Sequence, residues 1–262
     1  MSQHYLSMLF SPKSVAVFGA SGRPEAVGGI IFRNLLAGFQ GEVYGINPKR
    51  PEIDGRSTYA SIDEIGRPVE LAVIATPAES VAAVIESCGK CGVKAAVVLS
   101  AGFSETGPKG AALQKAVVDT AKLFGVRLLG PNCLGIMRPG TGLNATFYRG
   151  DARPGNLALV SQSGALCAAI LDWAHAAGVG FSSVVSVGTS ADIDFGEILD
   201  YLVSDPKTDS ILLYVEGIRD SRSFVSALRA ASRVKPVIGV KVGRHLAGSK
   251  AAVSHTGAWW AR

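Results

Sequence analysis

The sequence predicts an α/β protein made of two parallel sheets, each wound with helices. Three observations carry this. Short apolar runs alternate with turns of small residues and then with segments of helical periodicity. Gly is abundant (31 of 262 residues) while aromatics make up only 7%, as suits many tight strand-to-helix turns. The rhythm breaks once, over residues 138–155, and then begins again.

In order, Ser14–Phe18 is the first strand, ending in Gly19-Ala20-Ser21-Gly22, and a helix begins near Gly28-Gly29. Glycines there let a phosphate approach the backbone, and the helix start supplies N–H donors. The pattern is not G-x-G-x-x-G, so it indicates a phosphorylated ligand without singling out NAD. The second strand, 42–46, ends in Asn47-Pro48-Lys49-Arg50. A NAD site usually carries Asp or Glu at this point. Two cations suit a ligand with an extra ribose phosphate, either NADP or coenzyme A, unless the loop is simply solvated. Strands at 70–75, 95–99 and 126–129 follow, ending in Thr76-Pro77-Ala78, in Ser100–Gly107 and in Gly130-Pro131-Asn132-Cys133. Helices follow the first two, one with Val81, Val84 and Ile85 on one face and one over about 108–124.

The stretch 138–155 is rich in Pro-Gly signals and is read as irregular, so a domain boundary is expected there, with domains 1–145 and 146–262. Strand 157–160 restarts the pattern and runs into Ser161-Gln162-Ser163-Gly164 and a helix over 165–176. That turn is either a phosphate cradle or plain helix capping. Strands follow at 183–187, 211–215 and 236–241, with helices through Phe195–Leu202 and over 221–232. Glu216 follows the strand 211–215, and Ser254-His255-Thr256-Gly257 lies in the loop after the last strand. His255, Glu216 and the 161–164 turn therefore share one rim of the sheet. A carboxylate there can fix an imidazole tautomer, and a helix start can hold an anion. The physics allows a phosphohistidine nucleophile or a base.

Composition narrows the classes. Apolar residues (48%) suffice for a large core, and the net charge of +5 is scattered without a basic run, so nucleic acid is not expected. No run of 18 apolar residues exists and residues 1–12 lack a signal-peptide layout, so neither a membrane span nor secretion is expected. Cys88 and Cys91 form a lone C-x-x-C with no second pair, so packing rather than metal binding is expected, no metal site is assigned, and a reducing compartment fits.

Taken together, Gly19-Ala20-Ser21-Gly22, Asn47-Pro48-Lys49, Ala101–Glu105, Gly130–Cys133, Ser161–Gly164, Leu213–Gly217 and Ser254–Gly257 resemble, in order, the α-subunit region of NDP-forming acyl-CoA synthetases. This group includes the succinyl-CoA synthetase α subunit and the ADP-forming acetate-type enzymes, and the chain is more similar to the latter. The resemblance implies a Rossmann-like CoA-binding domain followed by a flavodoxin-like CoA-ligase domain. It implies that Gly19, Ala20, Ser21, Gly22, Asn47, Pro48, Lys49, Thr76, Pro77, Ala78 and Asn132 bind the cofactor. It also implies that His255 is phosphorylated, that Glu216 orients it, and that Ser161, Gln162, Ser163 and Gly164 face the phosphate.

The implied reaction joins a small carboxylic acid to CoA with cleavage of ATP or GTP and Mg²⁺, in the cytoplasm and in a homo- or hetero-oligomer. No ATP-grasp domain lies within these residues, so a partner subunit, or a domain fused after residue 262, is expected to supply the nucleotide. Two departures stand out. Thr189 replaces a common Asn, and Trp259-Trp260-Ala261-Arg262 replace the small residues and further helix of relatives, so the second domain is expected to be cut short. Two other readings are a non-catalytic CoA-sensing module, such as those fused to protein acetyltransferases, and an NADP-dependent dehydrogenase. The second would leave the Ser-His-Thr-Gly loop unexplained.

Overall fold

The computed structural model describes residues 4–242. A short helix α1 (Ser7–Phe10) precedes β1 (Ser14–Phe18), α2 (Val27–Gly38), β2 (Glu42–Ile46), β3 (Glu52–Ile53), β4 (Arg56–Tyr59), β5 (Leu71–Ile74), α3 (Ala78–Lys90), β6 (Ala95–Val98), α4 (Pro108–Phe124) and β7 (Arg127–Leu129). These strands form one sheet in the order β3-β4-β2-β1-β5-β6-β7. It is parallel except for the β3/β4 pair. β1, β5 and β6 are buried along their length, as expected of parallel strands covered on both faces. Strand order reverses at β1, with β2 on one side and β5 on the other, so the crevice for a ligand opens where these three strands end.

The second sheet contains β8 (Gly135–Arg138), β9 (Leu143–Thr146), β10 (Pro154–Ser161), β11 (Phe181–Ser186), β12 (Ser210–Val215) and β13 (Val237–Lys241), with helices α5 (Gly164–Ala177), α6 (Phe195–Ser204) and α7 (Ser221–Ser232). Its order is β13-β12-β10-β11-β8-β9. The pairs β10/β11, β10/β12 and β12/β13 are parallel. Here the structure departs from the sequence reading. Residues 135–146 fold as an antiparallel hairpin whose β8 pairs antiparallel with β11. The stretch before residue 145 thus joins the second sheet, and sheet membership changes near 130–134. The Pro139–Gly142 signals mark the hairpin turn, with Gly142 at φ 68°, rather than a linker.

The sheets share a core. One apolar cluster includes Val15 and Val17 of β1, Leu71 and Val73 of β5, Val160 of β10 and Leu213 of β12. The segment after β11 runs beside β7, with the amides of Thr189, Ala191 and Ile193 donating to the carbonyls of Pro131, Gly130 and Leu128. Asp192 closes the seam by accepting from Arg127 at 2.9 Å and from the Leu128 amide at 2.8 Å. In the second sheet, buried Arg138 forks onto Asp205 at 2.6 and 3.1 Å and also donates to Ser183.

Candidate functional site

The first half of the site lies at the reversal of strand order. Gly19 follows β1 with φ 84°, and a Cβ there would lie 2.9 Å from the Ala75 carbonyl oxygen. The residue must be Gly for two reasons, a left-handed φ and the approach of the neighbouring strand. Gly28, in the first turn of α2, packs on the same turn: a Cβ would come within 2.0 Å of the Gly19 oxygen. The helix starts at Val27, so Ser21–Ala26 form a loop above the strand ends. Asn47 ties β2 to this loop, its Nδ2 donating to the Ala20 carbonyl at 2.8 Å. Its Oδ1 accepts from the Lys49 amide at 2.8 Å, an Asx-type turn that leaves Pro48 and Lys49 exposed. After β5, the Thr76 hydroxyl accepts from Ser80 at 2.9 Å, Pro77 occupies the position just before α3, and Ala78 is buried as its first residue. Gly19–Gly22, Asn47–Lys49 and Thr76–Ala78 thus surround the ends of three adjacent strands.

Asn132 lies further along the rim, beyond β7. Its φ is 53° and its amide donates to the Ser100 carbonyl at 3.0 Å. It faces the second half of the site and lines a cavity there of about 350 Å³ together with Gln162, Gly164 and Thr189.

The second half is organised by Gln162. Strand order reverses again at β10, between β12 and β11. Ser161 ends β10 and Gln162 follows it, while Glu216 follows the adjacent strand β12. The Gln162 side-chain oxygen accepts from the backbone amides of Glu216 at 2.5 Å and Gly217 at 2.8 Å. One side chain therefore ties the loop after β12 to the end of β10. Ser161, Gln162, Ser163 and Glu216 are all buried. The Ser161 hydroxyl donates to the Ser163 carbonyl and accepts from its amide. The Ser163 hydroxyl accepts from the Leu166 amide and caps α5. Both hydroxyls hold the turn, so the groups it offers outward are the amides of Gly164 and Ala165, the first two of α5, which lack intrahelical partners. The capping role is real, and it is what presents those amides.

Lys241, at the end of β13, donates to the Glu216 carbonyl at 3.0 Å. Burial holds its ammonium below the usual lysine value, against the pull of the Glu216 carboxylate. Cys133 and Cys167 are buried nearby, and burial pushes both thiols up to about 12, so they act as apolar packing rather than as nucleophiles. Cys88 is buried and Cys91 exposed, both as free thiols. His255 lies outside the described residues.

Sequence reasoning missed three features. The bridge from Gln162 to Glu216 spans 54 residues and leaves no local signal. Glu105 organises the loop after β6, accepting from the amides of Gly102 at 2.6 Å and Phe103 at 3.1 Å. A Glu two or three residues after a Gly-Phe turn could have suggested this. The cavity beside Asn132 also takes Phe147 from beyond β9, in a stretch read as irregular. Among the described residues no group of three or more His, Cys, Asp or Glu is placed to hold a metal ion, and no helix is long and apolar enough to cross a membrane.

Comparison with known proteins agrees with this arrangement. Residues 13–139 match the model of a CoA binding domain, and residues 154–262 match that of a succinyl-CoA ligase like flavodoxin domain. The chain is 46% identical over 252 residues to the acetate–CoA ligase [ADP-forming] I of Archaeoglobus fulgidus, covering 96% of this chain and 37% of that protein. It is 45% identical over 257 residues to the α subunit of acetate–CoA ligase [ADP-forming] I of Pyrococcus furiosus, covering 96% of this chain and 56% of that subunit. The structure superposes with TM-score 0.93 and 42% identity on an acetyl-coenzyme A synthetase 1 of Ca. Korarchaeum cryptofilum in complex with phosphate and ADP, covering 98% of this chain and 56% of that one. The chain spans about a third to just over half the length of these relatives. Two matched domains in sequence, a shared fold and identity above 40% across both halves lead to one conclusion: the chain belongs to the family of NDP-forming acyl-CoA synthetases, within their α-subunit region.

Proposed function

We propose that this chain is the CoA-binding and phosphohistidine-carrying portion of an NDP-forming acyl-CoA synthetase, converting a carboxylic acid, CoA and a nucleoside triphosphate to acyl-CoA, nucleoside diphosphate and phosphate. The observation that carries this reading is the clamp from Gln162 to Glu216 and Gly217. It holds a carboxylate and an anion-receptive helix start at the ends of adjacent strands, at the point of reversed strand order where ligands of such sheets bind. In this reading His255 takes the phosphoryl group, Glu216 orients its imidazole, and the first-turn amides of α5 neutralise the phosphate charge. Ser161, Gln162 and Ser163 position those amides.

The first half fits coenzyme A. The Gly19 turn brings bare backbone to the strand ends, and Lys49 projects from the neighbouring loop, where a cation can meet the ribose phosphate or pyrophosphate. Gly19–Gly22, Asn47–Lys49, Thr76–Ala78 and Asn132 would hold the cofactor, whose thiol supplies the acyl acceptor. ATP or GTP and Mg²⁺ are assigned to an ATP-grasp partner, either a separate subunit or a further domain, and the assembly to the cytoplasm. Both curated relatives carry ligase names, which favours this reading over a CoA-sensing module.

Calorimetry with CoA and NADPH side by side tests the cofactor assignment. Saturable binding of CoA, with NADPH at least tenfold weaker, is expected. Tighter binding of NADPH would overturn it.

A further inference from the structure

Resting on the coenzyme A reading, we infer that Glu105 is a positioning residue for the cofactor site, whose side-chain oxygen latches the loop after β6 between the Thr76–Ala78 turn and Asn132. The strands β5, β6 and β7 are neighbours in the first sheet, so the loop after β6 is the middle one of three. It ties the outer two together. The Ser100 hydroxyl donates to the Thr76 carbonyl, and the Ser100 carbonyl accepts from the Asn132 amide at 3.0 Å. Thr76 and Asn132 are both assigned to the cofactor in that reading, and Ser100 sets their relative position.

The residues after Ser100 decide whether it stays in place. Gly102 has φ 104°, and a Cβ there would lie 3.3 Å from the Ala78 Cβ. The loop therefore makes a left-handed turn against the first residue of α3. The amides of Gly102 and Phe103 then converge on Oε1 of Glu105, at 2.6 and 3.1 Å. Bonds of this charge-assisted kind are stronger than those between neutral groups. Beyond the turn the loop is anchored differently. Phe103 is fully buried, its carbonyl accepts from the Thr106 amide at 2.9 Å, and a Cβ on Gly110 in the first turn of α4 would come within 1.8 Å of the same oxygen. Glu105 thus joins the part of the loop fixed on α4 to the part that carries Ser100. Its other oxygen, Oε2, is buried and meets no hydrogen-bond donor among the described residues. The latch therefore works through one acceptor oxygen at one reach. Gln offers the same oxygen at the same reach. Asp keeps the charge but is shorter by one methylene, and Ala keeps neither. A loop without its latch must be ordered when the cofactor binds, and that ordering is subtracted from affinity.

The test is calorimetry of the full chain with CoA on wild type, Glu105→Gln, Glu105→Asp and Glu105→Ala, with the melting temperature of each recorded. Glu105→Gln is expected to bind CoA within about threefold of wild type. Glu105→Ala and Glu105→Asp are each expected to bind about tenfold more weakly or worse, as ordering one or two backbone residues requires, while still folded at the assay temperature. If Glu105→Ala does not fold, the comparison of Gln with Asp decides. Wild-type affinity in Glu105→Ala overturns the inference. So does an affinity in Glu105→Gln as low as that of Glu105→Asp, and so does wild-type affinity in Glu105→Asp. Absence of CoA binding to wild type overturns instead the cofactor assignment on which the inference rests.

Discussion

The Gln162 carboxamide oxygen lies 2.5 Å from the Glu216 amide and 2.8 Å from that of Gly217, so one side chain couples the end of β10 to the end of β12. Replacing it with Ala leaves two N–H groups without their acceptor, one of them on buried Glu216. A buried unpaired N–H costs about 1–3 kcal/mol. Gln162→Ala is therefore expected to lower unfolding free energy by about 2–3 kcal/mol, measured by urea titration. It is also expected to slow phosphoryl capture at least tenfold, because Glu216 loses its fixed position. Gln162→Met, which fills a similar volume without an amide oxygen, should still fall well short of wild type. Wild-type stability in Gln162→Met would contradict the clamp.

Gly28 tests the packing beneath the first turn. Its Cβ would approach the Gly19 carbonyl oxygen to 2.0 Å, backbone against backbone, so the turn or the helix must move. Gly28→Ala is expected to cost about 1–3 kcal/mol by overpacking and to weaken CoA by more than tenfold. Thermal unfolding and calorimetry on the same sample check both effects. Full CoA affinity in a destabilised variant would detach the turn from the cofactor.

Lys49 is exposed, and among the described residues its amide rather than its ammonium is used within the fold. Lys49→Ala should therefore leave the melting temperature nearly unchanged. Loss of a charge-assisted hydrogen bond, worth about 1.5–3 kcal/mol, predicts CoA binding weaker by about tenfold or more. Calorimetry at two salt concentrations checks this, since the wild-type advantage should shrink as salt rises. No change in affinity at low salt would remove Lys49 from the phosphate site.

The Arg138–Asp205 pair sets a pH dependence. Burial pushes the Asp205 carboxyl up, but the hydrogen bonds from Arg138 and Thr208 and the Arg138 charge outweigh it and hold the carboxyl below its ordinary value. A depressed carboxyl stabilises the fold above its unfolded pKa, near about 3.9, and loses that contribution as pH falls through the folded value. Asp205→Ala strands a buried guanidinium and should cost about 3–5 kcal/mol at pH 7. Denaturant titrations from pH 7 to 3 should show the gap to wild type narrowing at the acid end. A gap that stays constant would show that the pair does not titrate with folding.

Much of this was legible from sequence for identifiable reasons. Helix α4 spans Pro108–Phe124, as the pattern predicts, because Pro108 opens it and Gly125 closes it at φ 67°. Helix α7 spans Ser221–Ser232 because the Asp220 side chain caps it. The central strands are continuous apolar runs with small-residue turns at their ends, so their places along the chain and the rim carrying Ser161–Gly164 and Glu216 could be read directly. The two antiparallel hairpins could not. β3–β4 is short and polar (Glu52, Arg56, Ser57), and β8–β9 is interrupted by Pro139 and Gly140. Contacts made only by tertiary folding, such as Arg127 to Asp192 across 65 residues or Gln162 to Glu216 across 54, have no local signature. They decide how tightly the predicted rim is held together.

The central claim of the proposed function is that His255 takes the phosphoryl group, with Glu216 and the α5 amides serving it in that reading. The chain is mixed with an ATP-grasp partner, γ-labelled ATP and Mg²⁺, quenched in alkali, and its acid-labile label is counted for wild type, His255→Ala and Glu216→Gln. Label on wild type, none on His255→Ala and at least tenfold slower labelling of Glu216→Gln is the predicted result. Equal label on wild type and His255→Ala would contradict the account.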